Sequence, residues 1–536
     1  MSITRYINYL LVFGVFGILL LYVLNDYKQS LSGVDYKIYV EANTVYQTPL
    51  QGKYTADAKL VNYNPAYTIE YSTNGGKSFV EYNSEPIAKI RVHDITKYVT
   101  SIRHKHPYGD LPKMKSFLVR AKHQDNIYHS KVEQLTYFEN YQSQLPIVSL
   151  IINEDDLFDT NDGMMILGEN SWENKGFYQK FWDRNANYKQ RKGKWRKKAF
   201  FQYFENGVLK DGLICEASIG GNATRAFEQK SIKLKLNRAY SSKQFEYPYF
   251  GKQGLKKYNS LVIRNSGNDN KKTLFADLLM QTLAIDGKLL TQKGKPVNVF
   301  LNGNYWGIYN LRERYDAYFI AKNEKVKEEK VTLLEGGSGE MKAGNKIVQQ
   351  KYISFIDSLN NLNEVDDETI DLIRSRISTK SFINYIFNET FFGNGDWLHN
   401  NAMWYKADNK KWKWLLNDLD YGMAYTGSNN VSMNYFQTLK SSTTITAKLF
   451  NVLMKNPKFK KKFKKKLQKN LGKMYFDGRV DEIFESLKNQ FEQNIEWQIN
   501  RWRGNLSKET WEENCTNNLN YLHERQAIYL KHVKEL

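Results

Sequence analysis

Asp396 and Asn401 stand five positions apart in Asn394-Gly-Asp396-Trp-Leu-His-Asn-Asn401, and Asp418 follows 22 positions after Asp396 in Trp412-Lys-Trp-Leu-Leu-Asn-Asp418-Leu-Asp420-Tyr-Gly422. These residue types at this spacing suit phosphoryl transfer. One carboxylate orients the attacking hydroxyl, while an amide oxygen and a second carboxylate hold Mg²⁺ against the phosphates of a nucleotide. Aspartate and asparagine are also common turn-capping residues, so spacing alone leaves a structural reading open. Asp420 carries two options, a second metal ligand or a strand-end cap. None of the eight histidines has a partner at ligand spacing, so His399 reads as support for its loop.

Such groups must be held by regular elements. Met403-Trp-Tyr405 and Lys413-Trp-Leu-Leu416 bracket the turn signal Asp408-Asn-Lys, so a short strand pair is expected between Asp396 and Asp418. Residues 297–311 read as two strands around Asn302-Gly303-Asn304, residues 147–152 as a buried strand, and residues 271–285 as an amphipathic helix. Lys230, Lys233 and Lys235 alternate with Ile232, Leu234 and Leu236, so each lysine is either a ligand-facing cation or the wet side of a strand. Glu335-Gly-Gly-Ser-Gly339 is glycine-rich but lacks a following helix-borne lysine, and a mobile loop is expected there rather than a phosphate cradle.

Several ordered blocks together resemble the spore-coat-protein-H kinase family. They are Ile219-Gly-Gly-Asn-Ala-Thr-Arg225 with Gln229-Lys-Ser-Ile-Lys-Leu-Lys235, then Leu261-Val-Ile-Arg-Asn265 with the helix after it. Val299-Phe-Leu-Asn-Gly-Asn-Tyr-Trp-Gly-Ile-Tyr-Asn-Leu-Arg-Glu313 and the Asp396 and Asp418 blocks complete the series. The resemblance implies an atypical protein kinase in which Asp396 is catalytic and Asn401 and Asp418 are metal ligands, with Asp420 left as a second metal ligand or a strand-end cap. It further implies that Gly221, Asn222 and Arg225 cover the phosphates of ATP and that Lys230 is the phosphate lysine. Glu313, just after the hairpin, is placed to meet the nucleotide or to pair with Arg264 or Arg312. An inactive envelope scaffold and a nucleotidyl transferase on the same fold are the competing readings. Gly220, Ala223 and Asn417 depart from the residues common in that family.

The chain has 536 residues, too many for one compact core at roughly 100 to 200 residues per domain. Its 41% hydrophobic residues and 37 Tyr, 29 Phe and 11 Trp argue against global disorder, and its two cysteines build neither a disulfide framework nor a cysteine metal cluster. The expected fold class is α+β, a protein-kinase-like domain (145–440) with a helical C-terminal extension (441–536), preceded by a β-sandwich (36–143). That sandwich resembles chitobiase-type modules through Tyr71-Ser-Thr-Asn-Gly-Gly76 and Phe117-Leu-Val-Arg-Ala121. Residues 7–24 are almost wholly apolar and follow Arg5, so residues 1–28 are expected to anchor the chain in a membrane with the rest outside the cytoplasm of a bacterial cell. The net charge of +21 draws anionic partners. The lysine run 458–466 reads as a solvated helix face rather than a nucleic-acid surface; the expected partners are ATP, Mg²⁺ and a protein substrate.

Overall fold

Alternating apolar residues and turn signals before Leu145 produce two antiparallel sheets in the computed structural model. It describes residues 58–536 and the strand backbones at 39–42 and 45–47, apart from 63, 126–128, 139–142, 172–179, 424, 426–430 and 505. The first sheet has strands β1 (Tyr39–Ala42), β2 (Val45–Gln47) and β3 (Lys59–Val61) in the order β2-β1-β3. The second has β4 (Tyr67–Ser72), β5 (Val80–Glu81), β6 (Lys115–His123) and β7 (Glu133–Tyr137) in the order β5-β4-β6-β7. Leu60 of β3 shares a core with Ile69, Phe117, Val119 and Leu135, so the sheets are packed together by their apolar faces. The expected membrane segment lies outside the described residues. Among the described residues no helix is long and apolar enough to cross a membrane.

The next seven strands close a barrel. These are β8 (Ile147–Ile152), β9 (Lys197–Glu205), β10 (Val208–Ile219), β11 (Ile232–Lys235), β12 (Ser260–Arg264), β13 (Gly294–Leu301) and β14 (Asn304–Glu313), in the order β10-β11-β12-β14-β13-β8-β9. β8 and β13 run parallel while the other neighbours are antiparallel. Period-two alternation sends Leu150, Tyr203, Ala217, Leu234, Ile263, Val299 and Leu311 into one core. The β13–β14 hairpin turns at Asn302 and Gly303, whose φ values of 45° and 77° are those of the tight turn that Asn-Gly favours.

A second sheet, β16-β15-β17-β18, is made of β15 (Val331–Glu335), β16 (Glu340–Ala343), β17 (Met403–Ala407) and β18 (Lys413–Leu415). Helices surround it, so the fold is α+β. The expected helix at 271–285 spans Ala276–Leu283, preceded by a 3₁₀ segment at Gly267–Lys271. In the helix Pro457–Met474, Phe459, Phe463 and Leu467 recur every four residues and are all buried, each contributing about 1.5–3 kcal/mol of transfer free energy. One hydrophobic core runs from Leu274 to Leu536 without a break at residue 440, so the C-terminal helices pack as part of this region.

Candidate active site

The loop bearing Asp396 hangs from the helix Thr379–Phe392. Ser378 caps its start by accepting from the Ser381 N–H, and Gly393, at φ 64°, ends it. Directly after, the Asn394 Nδ2 donates to Glu389 Oε2 at 3.0 Å and to the Asp418 carbonyl at 3.2 Å, tying the two loops together. Glu389 is fully buried, and desolvation pushes its carboxyl well above the usual range. Trp397 Nε1 donates to Tyr385 Oη at 2.8 Å and anchors the far side of the loop.

Asp396 is half-buried at this loop. Asn400 Nδ2 donates to its Oδ1 at 2.5 Å and Asn401 Nδ2 to its Oδ2 at 3.2 Å. Burial first, and then the neighbouring charge of Asp418, raise its carboxyl above the ordinary aspartate value. The glycine-rich stretch expected to be mobile is the β15–β16 turn, and it braces this loop: Gly336 N–H donates to the Ala402 carbonyl and Gly337 N–H to the His399 carbonyl, both at 2.9 Å. His399 thus supports the loop through its backbone.

Asp418 follows β18 in a left-handed conformation, φ 52°, and its side chain is one-third exposed. A single Arg264 nitrogen, Nη2, reaches Asp418 Oδ1 and Asp420 Oδ2, each at 2.5 Å. Asp420 is 5% exposed, and both of its oxygens are occupied, Oδ2 also by the Asn268 N–H at 3.1 Å and Oδ1 by Asn268 Nδ2 at 2.9 Å. It therefore clamps the 264–268 segment to the loop, which corrects its expected place as a metal ligand. Gly267 is obligatory here: its φ is 61°, and a Cβ would lie 1.7 Å from Asp420 Oδ2. Asp277, on the helix Ala276–Leu283, accepts from the Leu419 N–H at 2.8 Å and pairs with Arg312 at 2.7 Å. The Arg264–Asp418 and Asp277–Leu419 contacts escaped the sequence reading because each joins residues more than 140 positions apart.

The turn after β10 is the next of the expected site segments. Gly220 N–H donates to the Ser231 carbonyl at 2.7 Å, and Gly221, at φ 86°, leaves no room for a Cβ against Thr224 Oγ1. Arg225 is buried and spends its donors on the carbonyls of Ile219, Gly221, Tyr188 and Gln190 at 2.6–3.1 Å, so it shapes the turn rather than facing a ligand. Asn222 is exposed and accepts from Arg191 Nη2 at 3.3 Å.

Lys230 is corrected too. It is fully buried, its Nζ donates to the carbonyls of Arg225 and Phe227 at 2.8 Å and lies 3.9 Å from the Tyr188 ring centre, and desolvation lowers its pKa well below that of a free lysine. The lysine beside the turn is Lys233, three residues on. Its Cε would lie 3.4 Å from a Cβ on Gly220. Burial, together with the charges of Arg314, Arg225, Arg191 and Lys342, lowers its ammonium to about 8. Glu313 is likewise corrected. It is buried, accepts from Tyr258 Oη at 2.8 Å and from the Lys293 N–H at 3.0 Å, and pairs with neither Arg264 nor Arg312. Desolvation raises its carboxyl.

Asn401 and the open oxygen of Asp418 offer hard oxygen donors. Among the described residues no group of three or more His, Cys, Asp or Glu is arranged to hold a metal ion. This donor set suits Mg²⁺ that arrives bound to phosphates, since Mg²⁺ typically takes one or two protein carboxylates and completes its shell with water and substrate oxygens.

No curated protein matches the chain. The family model described as CotH kinase protein matches residues 217–529, more than half of the sequence, and that span takes in the Gly221 turn, the β13–β14 hairpin and both acidic loops. The chain belongs to the CotH kinase family.

Proposed function

We propose that the protein is an atypical protein kinase that transfers the γ-phosphate of ATP to hydroxyls of a protein substrate. On this reading it works at the extracytoplasmic face of a bacterial envelope, held there by its N-terminal apolar segment. The barrel and the helical region serve as two halves of a kinase-like domain, with the nucleotide between the Gly221 turn and the acidic loops. The observation that carries the reading is the grouping of Asp396, its hydrogen-bonded neighbour Asn401, and Asp418, whose charge reaches Asp396.

In the proposed reaction the substrate hydroxyl oxygen forms a bond to the γ-phosphorus, and the bond from that phosphorus to the bridging oxygen of ADP breaks. Asp396 orients the hydroxyl and accepts its proton. Lys233, with Arg314 and Arg191 nearby, balances phosphate charge on the nucleotide side. Asn401 and Asp418 would hold Mg²⁺, which supplies neutralisation of the developing phosphate charge.

One observation favours the scaffold reading. Arg264 already balances the charges of Asp418 and Asp420, and a protein without turnover keeps such a pair indefinitely. The full chain incubated with Mg²⁺ and ATP labelled at the γ- or the α-phosphate, beside Asp418→Ala and Asp396→Asn, separates the readings. Transfer of γ-label that both substitutions abolish is the expected result. Transfer of α-label means nucleotidyl transfer, and neither transfer nor an ATP-dependent thermal shift means a scaffold.

A further inference from the structure

The lysines of the helix Pro457–Met474 do not all face open water. Lys466 and Lys473, seven positions apart, fall on one stripe, and that stripe borders a recess of about 520 Å³ shared with the 284–287 loop, Lys293, Lys380 and Arg479. Five cationic side chains line this recess against one carboxylate, that of Asp286. No residue of the Asp396, Asp418 or Gly221 segments lines it.

Two features make it more than a solvated lysine face. First, some lysines elsewhere in this half of the molecule have carboxylate partners. Lys410 and Lys413 share Glu324, Lys448 pairs with Asp357, and Lys458 with Asp367. Among the described residues Lys293, Lys380, Lys466 and Lys473 have no ion pair with a carboxylate. Burial and the charges of Lys473, Lys380 and Lys469 push the Lys466 ammonium down, the mark of repulsion left uncompensated. Second, one cation is set in place beforehand. Arg479 Nη2 donates to the Thr282 carbonyl at 2.9 Å and Nη1 to the Leu283 carbonyl at 2.8 Å, so the end of the helix Ala276–Leu283 fixes its guanidinium at the wall. Like charges gathered in a concavity weaken the fold unless an anion neutralises them.

We propose that this recess binds a multivalent, phosphate-bearing anion at a site separate from the Asp396 centre. Its large apolar lining is confined to Ile285 and Ile483, which leaves little to hold an organic body and points to a compact, charge-dense ligand. Linear polyphosphate and a phosphomonoester headgroup share the required chemistry.

The test is calorimetric titration of the full chain with tripolyphosphate, without Mg²⁺ or nucleotide. Comparison chains carry Lys380→Gln/Lys466→Gln/Lys473→Gln, or Lys460→Gln/Lys461→Gln/Lys465→Gln as a charge-matched control on other faces of the same helix. A third carries Lys233→Gln. The recess triple is expected to bind about tenfold more weakly or worse, while the control triple stays within about twofold of the parent. Equal losses in both triples, or binding that falls with Lys233→Gln and persists in the recess triple, would overturn the proposal, as would no binding to the parent chain. Should circular dichroism show the recess triple unfolded, Lys380→Gln/Lys473→Gln, both at exposed positions, is read by the same criteria. Flotation with phosphatidylcholine vesicles with and without phosphatidic acid then assigns the source. Capture by the phosphatidic acid vesicles that the recess substitutions abolish identifies a lipid headgroup, and tripolyphosphate binding without capture identifies a soluble phosphate chain.

Discussion

Two lysines three positions apart illustrate how much a single residue's direction decides. Lys230 and Lys233 belong to the same short block, yet one ammonium is sealed against backbone carbonyls and the other stands beside the Gly221 turn among cations. Lys230→Met leaves two buried carbonyls without their donor and is expected to destabilise the protein by about 1–3 kcal/mol, with ATP affinity unchanged below the melting transition. Lys233→Met is expected to do the reverse, weakening ATP binding about tenfold or more with little change in melting temperature. Paired thermal melts and ATP titrations read both; the opposite assignment would restore Lys230 as the phosphate lysine. The lowered pKa of Lys233 also fixes a pH dependence. The protonated ammonium is the form that binds phosphate, so ATP affinity should hold below about pH 8 and weaken as pH rises through that value. Lys233→Arg, which keeps its charge, should flatten that limb; a limb that survives in the arginine variant belongs to another group.

At the scale of elements, the β13–β14 hairpin is legible in the sequence, because Asn302-Gly303 is a strong local turn signal and the flanking apolar residues alternate. The Asp396 loop and the strand pair after it were legible for the same local reason. What local pattern could not carry is which carboxylates remain open. Asp420 looked like Asp418 in sequence, and its loss to Arg264 and Asn268 depends on contacts between residues more than 150 positions apart. The same limit hid what Gly307 does inside β14. It sits at φ 114°, where a Cβ would come within 2.6–2.9 Å of Gln498 Oε1, Trp502 Nε1 and Gln229 Nε2. The helix Ile495–Trp502 is seated at this spot, with Gln498 Oε1 accepting from the Ile308 N–H at 2.8 Å and Trp502 Nε1 donating to the Trp306 carbonyl at 3.0 Å. Gly307→Ala is therefore expected to lower stability by about 2–4 kcal/mol through backbone strain and displaced packing. Gly472→Ala, inside the helix Pro457–Met474 with open space around its Cα, should instead raise stability by about 0.5–1 kcal/mol. Urea unfolding of both variants tests the pair, and equal effects would remove the hairpin's role in seating the helix.

For the whole molecule, the N-terminal sheets are either a spacer or a structural part of the barrel. The junction is a buried polar seam. The hydroxyls of Ser116 and Ser149 lie 2.9 Å apart, Thr136 Oγ1 donates to Gln202 Oε1 at 2.6 Å, and Gln202 Nε2 donates to the Gln134 carbonyl at 2.9 Å. Leu118 of β6 packs with Ile151 and Phe200 of the barrel beside that seam. A flexible spacer would present an exposed hydrated linker there, whereas buried hydrogen bonds are stable only while both sides stay docked. The sheets and the barrel should therefore unfold together. Thr136→Val withdraws a donor from the seam while preserving volume, and about 1–3 kcal/mol of stability should go with it. In scanning calorimetry of the full chain, the wild type is expected to melt in a transition that includes both the sheets and the barrel, and Thr136→Val to move that transition as a unit. Two resolved transitions, with the substitution shifting the smaller one alone, would make the module an independently folded attachment and leave the barrel's stability untouched by its presence.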